Sequence, residues 1–218
     1  MGERGLDVLP LDAYITPMSV LLAIDTAAPR LALAVLRVGD HVDTLVEDMA
    51  TGQAERLFPA LDELFARADV TYKDLTRIAV TTGPGSFTGL RIGLSAARGL
   101  GLALNIPVLG IPSLFALSLA TQCDPVAILL DAKRGEAYFQ TFSGPGIPIR
   151  DAALLPMEDA RKLVPPNAAT LTSPLVDIAA LARFAAMADP ELYPPEAAYI
   201  RDADAKPQEK FRVARVPA

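Results

Sequence analysis

The stretch "TTGPGSFTGLRIG", residues 81–93, places glycines and a proline between an apolar strand pattern and an apolar helix pattern that continues to about Leu104. The strand is predicted over 77–82, "RIAVTT". A strand, a glycine-rich turn and a helix in this order are typical of an α/β protein. The turn has two possible functions: it binds an anion on free backbone N–H groups, or it only turns the chain.

Anion binding at this turn would use the backbone near Gly83, Gly85, Ser86 and Thr88, because the helix dipole and the unpaired N–H groups point the same way. The spacing is neither that of a P-loop, which ends in Gly-Lys-Ser/Thr, nor that of a dinucleotide fingerprint. In the alternative, Ser86 or Thr88 caps the helix by accepting a hydrogen bond from its first N–H groups. The spacing favours the turn and leaves anion binding open.

Outward from this stretch, short aliphatic runs alternate with helical patterns. The runs "VLLAIDT" and "LALAVLR", separated by "AAPR", predict a hairpin, and Val42 to Val46 add a third strand. The remaining patterns are a helix over 52–68, the strands "PVLGI" and "PVAILLDA", a turn and strand in "KRGEAYFQTF", and a helix over 175–188. Together they predict an α/β protein with a mixed sheet and a shorter second lobe after about residue 145.

Two helices of the first half carry informative stripes. Leu57 and Leu61 belong to an apolar stripe, and Pro59 within it should kink the helix or mark its true start. The helix after the glycine turn has a stripe of small residues: Gly89, Gly93, Ala97 and Gly101. Each helical glycine costs about 1 kcal/mol relative to alanine, so close approach of another backbone should compensate. That backbone belongs to this chain or to another subunit, and the spacing does not separate the two.

Composition limits the partners and the compartment. The 218 residues are 51% hydrophobic with a formal net charge of −6, which disfavours a surface that binds nucleic acid unaided. The single cysteine, Cys123, forms no internal disulfide, and no secretory signal pattern opens the chain, so we expect a cytoplasmic protein. The longest apolar stretch, 92–111, is interrupted by Arg98, Asn105 and Pro107, so we expect no membrane span.

Five segments together resemble the TsaB (YeaZ) family, bacterial proteins of tRNA threonylcarbamoyladenosine synthesis. They are "LLAIDTA", "RLFPALDELF", "GPGSFTGLRIGLSAARGLGLALNIPVLGIPSL", "LLDAKRGEAYFQTF" and "AYIRDADAK". The resemblance runs from about Met18 to about Lys206, and its most specific parts are "GPGSFTGLRIG" and "DAKRGEAY". It implies an actin-like ATPase (ribonuclease H-like) fold with two α/β lobes. We divide the chain accordingly into a disordered extension, a first lobe, a reduced second lobe and a tail: 1–17, 18–112, 113–206 and 207–218.

The resemblance also implies a function without catalysis. Family members are partners of TsaD, the ATP- and metal-binding paralogue that transfers threonylcarbamoyl from its adenylate to the adenosine next to the anticodon, and TsaE, an ATPase, joins the pair. We therefore expect a pseudo-enzyme subunit that pairs with TsaD or with a second copy, meets tRNA only within the complex and contacts no membrane. The alternative is an autonomous hydrolase or peptidase acting through Asp25 and the glycine turn.

The metal ligands of the TsaD type are replaced in this chain. TsaD-type proteins carry two histidines four residues apart after the strand that follows the glycine turn, where this chain has Ser113 and Leu117. The single histidine, His41, has no second histidine or cysteine pair to join it as a ligand. We expect no metal site.

By the resemblance, the phosphate-contacting hairpin of the superfamily corresponds to "DTAAPR", which lacks the glycines and lysine that would bring a triphosphate close. Asp131 ends a strand where related kinases hold a metal-bound water or a phosphate, but a carboxylate there is usually a turn former. We predict remnants of a nucleotide cleft that takes ATP or ADP only at a site shared with TsaD: Asp25, Thr26, Gly83, Gly85 and Ser86.

In family members the first-lobe helices form the dimer contact, so the resemblance favours another subunit as the neighbour of both stripes. We predict these interface residues: Leu57, Leu61, Gly89, Gly93, Ala97 and Gly101. Gln53 stands where several relatives have a histidine, so the detail of the contact differs here. Solvated faces are expected for the basic residues Arg91, Arg98, Lys133 and Arg134, with guidance of tRNA as the weaker hypothesis.

Overall fold

The structure, a computed structural model, describes residues 19–198 and residue 200. Its first sheet has five strands in the order β3-β2-β1-β4-β5. The strands are β1 (Val20–Asp25), β2 (Arg30–Arg37), β3 (His41–Asp48), β4 (Leu75–Thr81) and β5 (Val108–Ile111). The pairs β1–β2 and β2–β3 are antiparallel, and β1–β4 and β4–β5 are parallel. The predicted hairpin, third strand and mixed sheet are therefore confirmed.

The second sheet is also mixed. Its strands are β6 (Val126–Lys133), β7 (Glu136–Gly144), β8 (Ile147–Pro148), β9 (Ala153–Pro156) and β10 (Ala169–Leu171). Their order is β10-β6-β7-β8, with β9 also pairing to β7. The pair β10–β6 is parallel and the pair β6–β7 is antiparallel. Two mixed sheets flanked by helices confirm the predicted α/β architecture.

Five α-helices flank the sheets in the described part of the chain. They are α1 (Gln53–Ala68), α2 (Phe87–Leu104), α3 (Ser113–Ser118), α4 (Met157–Lys162) and α5 (Ile178–Met187). Short 3-10 helices lie at Tyr72–Asp74 and Pro190–Leu192. Pro59 lies inside α1, which begins six residues earlier at Gln53, so Pro59 does not mark the start of this helix. Within these residues no helix is long and apolar enough to cross a membrane.

Alternation along the strands gives the first sheet two buried faces. Leu22 and Ile24 of β1 pack on one side, in a core with α1 and α2. Leu21 and Ala23 point to the other side, where they share a core with α3, α5 and the second sheet. The first sheet is thus covered on both faces, as a sheet with parallel central strands requires.

The last described helix returns from the second sheet to the first. Arg77 on β4 donates hydrogen bonds to the carbonyls of Ala185, Ala186 and Ala188 at the end of α5. Arg30 on β2 donates to the carbonyl of Val176, just before α5. Residues of the predicted second lobe therefore complete the core of the first sheet. The lobe boundary between residues 112 and 113 stays a prediction. The predicted extension and tail lie outside the described residues.

Three strand ends meet at one edge of the first sheet. Because β1, β3 and β4 run in the same direction, Asp25, Asp48 and Thr81 all lie at this edge. The chain enters α1 after β3 and enters α2 after β4, so both helices also begin there. This edge holds the candidate site.

Candidate functional site

The glycine turn connects β4 to α2 and is fixed by the first residue of α3. The N–H of Gly83 donates to Ser113 Oγ (3.1 Å), and the N–H of Ser113 donates to the Gly83 carbonyl (2.7 Å). Gly83 has a φ of +103°, a left-handed conformation that favours glycine. Ser86 caps α2, because its Oγ accepts the N–H of Gly89 (3.2 Å). Of the two predicted caps, the structure uses Ser86 and not Thr88.

The same turn packs directly on the β1–β2 hairpin. The N–H of Ser86 donates to the Ala27 carbonyl (2.8 Å), and Thr26 Oγ1 donates to the Gly89 carbonyl (2.7 Å). A Cβ at Gly85 would lie 2.6 Å from the Ala27 carbonyl oxygen, and a Cβ at Gly89 would overlap the Thr26 carbonyl. These contacts join the turn to the hairpin and occupy the N–H of Ser86. The structure favours the predicted turn over the predicted anion-binding loop.

Asp25 supports the hairpin from within the protein. Its side chain is fully buried, and Oδ1 accepts hydrogen bonds from Thr81 Oγ1 (2.6 Å) and from the N–H of Ala27 (3.0 Å). Its Oδ2 is buried without a hydrogen-bond partner among the described residues. Burial raises the pKa of this carboxyl, although the bonds from Thr81 and Ala27 and the charge of Arg30 oppose the rise. Asp25 and the buried Thr26 do not reach solvent.

A cleft of about 610 Å³ lies between the glycine turn and the β6–β7 hairpin. Of the predicted cleft residues, Gly85 and Ser86 line it. Asp25, Thr26 and Gly83 are buried behind this surface, so their assignment to a ligand cleft is corrected. The predicted remnant is therefore reduced to the outer two residues of the turn.

The cleft is completed by other side chains that were not among the predicted cleft residues: Gln53, Asp131, Lys133 and Tyr138. Gln53 is 7% exposed, and its Nε2 donates to the Met49 carbonyl (3.0 Å). Its position as the first residue of α1, shortly after a strand of the same sheet, is the sequence signal that would have placed it here. The presence of second-sheet residues in the cleft depends on how the two sheets pack together, which no local sequence pattern encodes.

The β6–β7 turn at the rim of the cleft has an uncommon backbone. Lys133 and Arg134 have φ values of +66° and +55°, and Gly135 follows at +76°. Asp131 holds this turn, because its Oδ1 accepts the N–H of Lys133 (2.8 Å) and its Oδ2 accepts Lys133 Nζ (3.0 Å). These hydrogen bonds from Lys133 lower the pKa of the Asp131 carboxyl. The interpretation of Asp131 as a turn former is confirmed.

The small-residue stripe of α2 faces this chain's own sheet. A Cβ at Gly93 would lie 2.6 Å from Thr26 Oγ1, and a Cβ at Gly101 would overlap a methyl group of Val108. Ala97 is fully buried. The stripe lets α2 approach β1, β4 and β5 closely, so its neighbour is internal.

All six predicted interface residues are buried within the chain: Leu57, Leu61, Gly89, Gly93, Ala97 and Gly101. Leu57 and Leu61 pack with α2 and the sheet in a common core. The prediction that this face of the two helices meets another subunit is therefore wrong for these residues, because the sheet already covers them.

The outer face of the same two helices exposes large apolar side chains. Leu102 is 87% exposed, Phe87 is 56% exposed and Phe58 of α1 is 46% exposed. The guanidinium of Arg91 lies 3.8 Å from the centroid of the Phe87 ring, in a cation–π contact. Phe87 and Leu102 lie near opposite ends of α2, about 22 Å apart along its axis. We call the three exposed side chains Phe58, Phe87 and Leu102 the outer patch. Arg91 and Arg98 are exposed on this side of α2, in agreement with the prediction that they lie on a solvated face.

The residues that stand in place of the TsaD-type metal ligands have structural functions. Ser113 binds the glycine turn, and Leu117 is buried in the core between the sheets. His41 is exposed at the start of β3, at the edge of the sheet opposite the glycine turn. Within the part of the chain that the structure describes, no group of three histidine, cysteine or acidic side chains is placed to hold a metal ion. The absence of a metal site stays a prediction.

Comparison with known proteins supports the family resemblance. A family model of TsaD, described as tRNA N6-adenosine threonylcarbamoyltransferase, matches residues 47–154, which include α1, the glycine turn and the β6–β7 hairpin. The tRNA threonylcarbamoyladenosine biosynthesis protein TsaB of Haemophilus influenzae is 34% identical over 125 residues, or 55% of this chain and 52% of that protein. A solved structure from Pseudomonas aeruginosa, described as similar to peptidase YeaZ, superposes with a TM-score of 0.70 at 26% identity and covers 84% of this chain and 100% of that one. These similarities support TsaB (YeaZ) family identity for this chain.

The TsaB resemblance that the sequence motifs carried is thereby confirmed. An uncharacterized protein of Mycobacterium tuberculosis is also similar, with 40% identity over 128 residues, or 57% of this chain and 60% of that protein. The chain thus spans 52% to 60% of the length of these two curated relatives.

Proposed function

We propose that this chain acts in the biosynthesis of threonylcarbamoyladenosine in tRNA, in the cytoplasm, as a non-catalytic partner of TsaD. Family membership supports the pathway, since relatives in this family are named for that biosynthesis. The observation that carries the non-catalytic part is the hydrogen bond from Ser86 N–H to the Ala27 carbonyl. It closes the glycine turn on the protein's own hairpin, where a phosphate would otherwise approach.

The outer patch is the proposed contact with TsaD. Phe58, Phe87 and Leu102 lie on two helices of the first lobe, and large exposed apolar side chains are typical anchors of protein interfaces. A second copy of this chain would compete for the same patch, which gives a homodimer in the absence of TsaD. TsaE joins the TsaD pair in this proposal, and tRNA is held by the assembled complex because the net charge of this chain is −6.

A nucleotide enters this proposal only at a site shared with TsaD. Gly85, Ser86 and Lys133 are the cleft residues that could contact ATP or ADP from this side. Lys133 is already paired with Asp131, and the N–H of Ser86 is occupied. TsaD would therefore have to supply most contacts to the phosphates.

The second candidate is an autonomous peptidase or hydrolase, since the similar Pseudomonas structure is described by similarity to a peptidase. A serine nucleophile at Ser86 would need a neighbouring base. His41, the single histidine of the chain, lies at the opposite edge of the first sheet, and Ser86 Oγ already accepts the N–H of Gly89. The geometry therefore disfavours peptidase chemistry in the isolated chain.

The experiment that tests this function is reconstitution of tRNA modification with purified TsaD and TsaE of the same organism. We expect threonylcarbamoyl transfer from threonylcarbamoyl-AMP to tRNA only when this chain is present. We also expect the purified chain alone to turn over neither ATP nor peptides. Full modification without the chain would contradict the partner function, and turnover by the chain alone that is lost in Ser86→Ala would support the hydrolase instead.

A further inference from the structure

A strap of six residues, Tyr193–Ala198, crosses the edge of the first sheet where the glycine turn lies. It begins at β5, where the N–H of Gly110 donates to the Tyr193 carbonyl (2.9 Å). It reaches the neighbouring strand β4 at its other end, where the N–H of Ala198 donates to the Thr82 carbonyl (2.9 Å). Thr82 directly precedes Gly83, so the strap is hydrogen-bonded to the residue that leads into the glycine turn.

The strap leaves no room for a side chain at Gly110 and lies in van der Waals contact with Gly83. A Cβ at Gly110 would lie 2.5 Å from the Pro194 carbonyl oxygen and 2.7 Å from Pro195 Cα. A Cβ at Gly83 would lie 3.4 Å from the Ala198 carbonyl oxygen. The same Cβ would lie 2.6 Å from Thr82 Cγ2, so a methyl group at Gly110 would press both on the strap and on the residue before the glycine turn.

The two ends of the strap have different anchors. At the start, the Tyr193 ring packs against Phe184 of α5 (centroids 5.4 Å apart) and Phe115 of α3 (6.2 Å), and these two rings are 4.9 Å apart. Burial in this cluster raises the pKa of the Tyr193 phenol. At the far end, the N–H of Ala198 donates to the Thr82 carbonyl. An aromatic cluster thus fixes the start, and a hydrogen bond to the turn fixes the end.

We propose that this strap is a latch that holds the glycine turn and, through it, the first turn of α2. The chain of contacts runs from Ala198 to Thr82, through Gly83 bound to Ser113, to the Ser86 cap of α2. The residue after Ser86 is Phe87, a member of the outer patch. The latch therefore sets the position of one end of the surface that meets a partner. This last step rests on the proposed function, whereas the latch itself does not.

The test weakens the contacts of the strap at either end and measures the hydrogen-exchange rate of the glycine turn. Ala198→Pro removes the N–H that donates to Thr82, and Gly110→Ala inserts the methyl group that the strap excludes. Hydrogen exchange of the isolated protein is followed by mass spectrometry over peptides that cover 82–91. The matched control is Gly99→Ala, at an exposed position on α2 where a Cβ meets no atom within 4 Å.

We expect exchange in residues 82–91 to be about threefold to tenfold faster in both strap variants, the range for loss of one backbone hydrogen bond, and unchanged in Gly99→Ala. Exchange in the core strands β1 and β4 should keep its wild-type rate, which separates release of the latch from unfolding. Wild-type exchange over 82–91 in Ala198→Pro would overturn the latch, whatever the behaviour of Gly110→Ala.

A second measurement separates the latch from the proposed function. Ala198→Pro should weaken binding to TsaD by a similar threefold to tenfold factor, because Phe87 is less well held. Faster exchange with unchanged TsaD affinity would support the latch and contradict its effect on the partner surface. Absence of TsaD binding by the wild-type protein would instead contradict the proposed function alone.

Discussion

The two faces of α2 show how one helix serves two purposes. The inner face carries Gly89, Gly93 and Ala97, which lie so close to β1 and β4 that a larger side chain has no room. The outer face carries Phe87 and Leu102, which are largely exposed. The small residues of α2 thus face a neighbour within the chain, and the large exposed residues form the proposed partner surface.

The largest effect should follow from enlarging the inner face. Gly89→Ala places a methyl group on the Thr26 carbonyl, so the glycine turn or the hairpin must move. We expect the free energy of unfolding to fall by about 3 kcal/mol, the upper part of the usual range for overpacking. Urea denaturation followed by circular dichroism measures it. Stability equal to that of the wild type would show that the inner face is not tightly packed.

The next effect concerns the carboxyl beneath the inner face. The pKa of Asp25 is raised above its ordinary value of 3.8 in the folded protein, so the folded state binds this proton more strongly than the unfolded state does. Stability from this group is therefore present at acidic pH and is lost as pH rises through the folded pKa. We expect this loss to disappear in Asp25→Asn.

The pH dependence is measured as the difference in unfolding free energy between wild type and Asp25→Asn from pH 4 to pH 8. Groups with lowered pKa values, such as Glu47 and Asp131, give the opposite slope, but they are common to both proteins and cancel in the difference. A difference that does not change with pH would contradict the raised pKa of Asp25.

Truncation on the outer face should change binding and leave stability almost unaffected. We expect Phe87→Ala to weaken the affinity for TsaD by about 2 kcal/mol, or roughly 30-fold, because exposed aromatic anchors commonly carry this much of an interface. The free energy of unfolding should change by less than about 0.5 kcal/mol, as for other surface substitutions. Calorimetric titration and urea denaturation of the same sample separate the two quantities.

The smallest effect is a gain in stability. Gly99→Ala lies on the exposed side of α2 with open space around the new methyl group. We expect the free energy of unfolding to rise by about 0.5–1 kcal/mol, because alanine has the higher helix propensity. The same substitution at positions 89 and 99 thus has opposite signs. Destabilisation at both positions would break the distinction between the two faces.

Local patterns predicted the secondary structure of this chain well. The alternation in "VLLAIDT" and "LALAVLR" predicted the hairpin, and the run from Phe87 to Leu104 predicted α2, because both depend on residues close in sequence. The order of strands and helices then predicted the fold class. The family resemblance rested on motifs in these same segments, and comparison with TsaB confirmed it.

Contacts between distant segments were not predictable in the same way. The small stripe of α2 indicated a close neighbour, but spacing alone could not show that Thr26 and Val108 are that neighbour. The cleft contains Lys133 and Tyr138 because of the placement of the second sheet. The strap from Tyr193 to Ala198 has no periodic pattern, and its bonds join residues more than 80 positions apart.

The proposed partner surface is tested most directly by substituting the outer patch and measuring tRNA modification. Phe87→Glu and Leu102→Glu are introduced together and compared with Leu192→Glu, a control leucine that is 73% exposed in the 3-10 helix after α5. Each protein is assayed with TsaD, TsaE and unmodified tRNA after its thermal midpoint has been measured. We predict wild-type midpoints for both variants and loss of threonylcarbamoyladenosine formation only for the double variant. Full modification by a folded double variant would show that the outer face of α2 is not the partner surface.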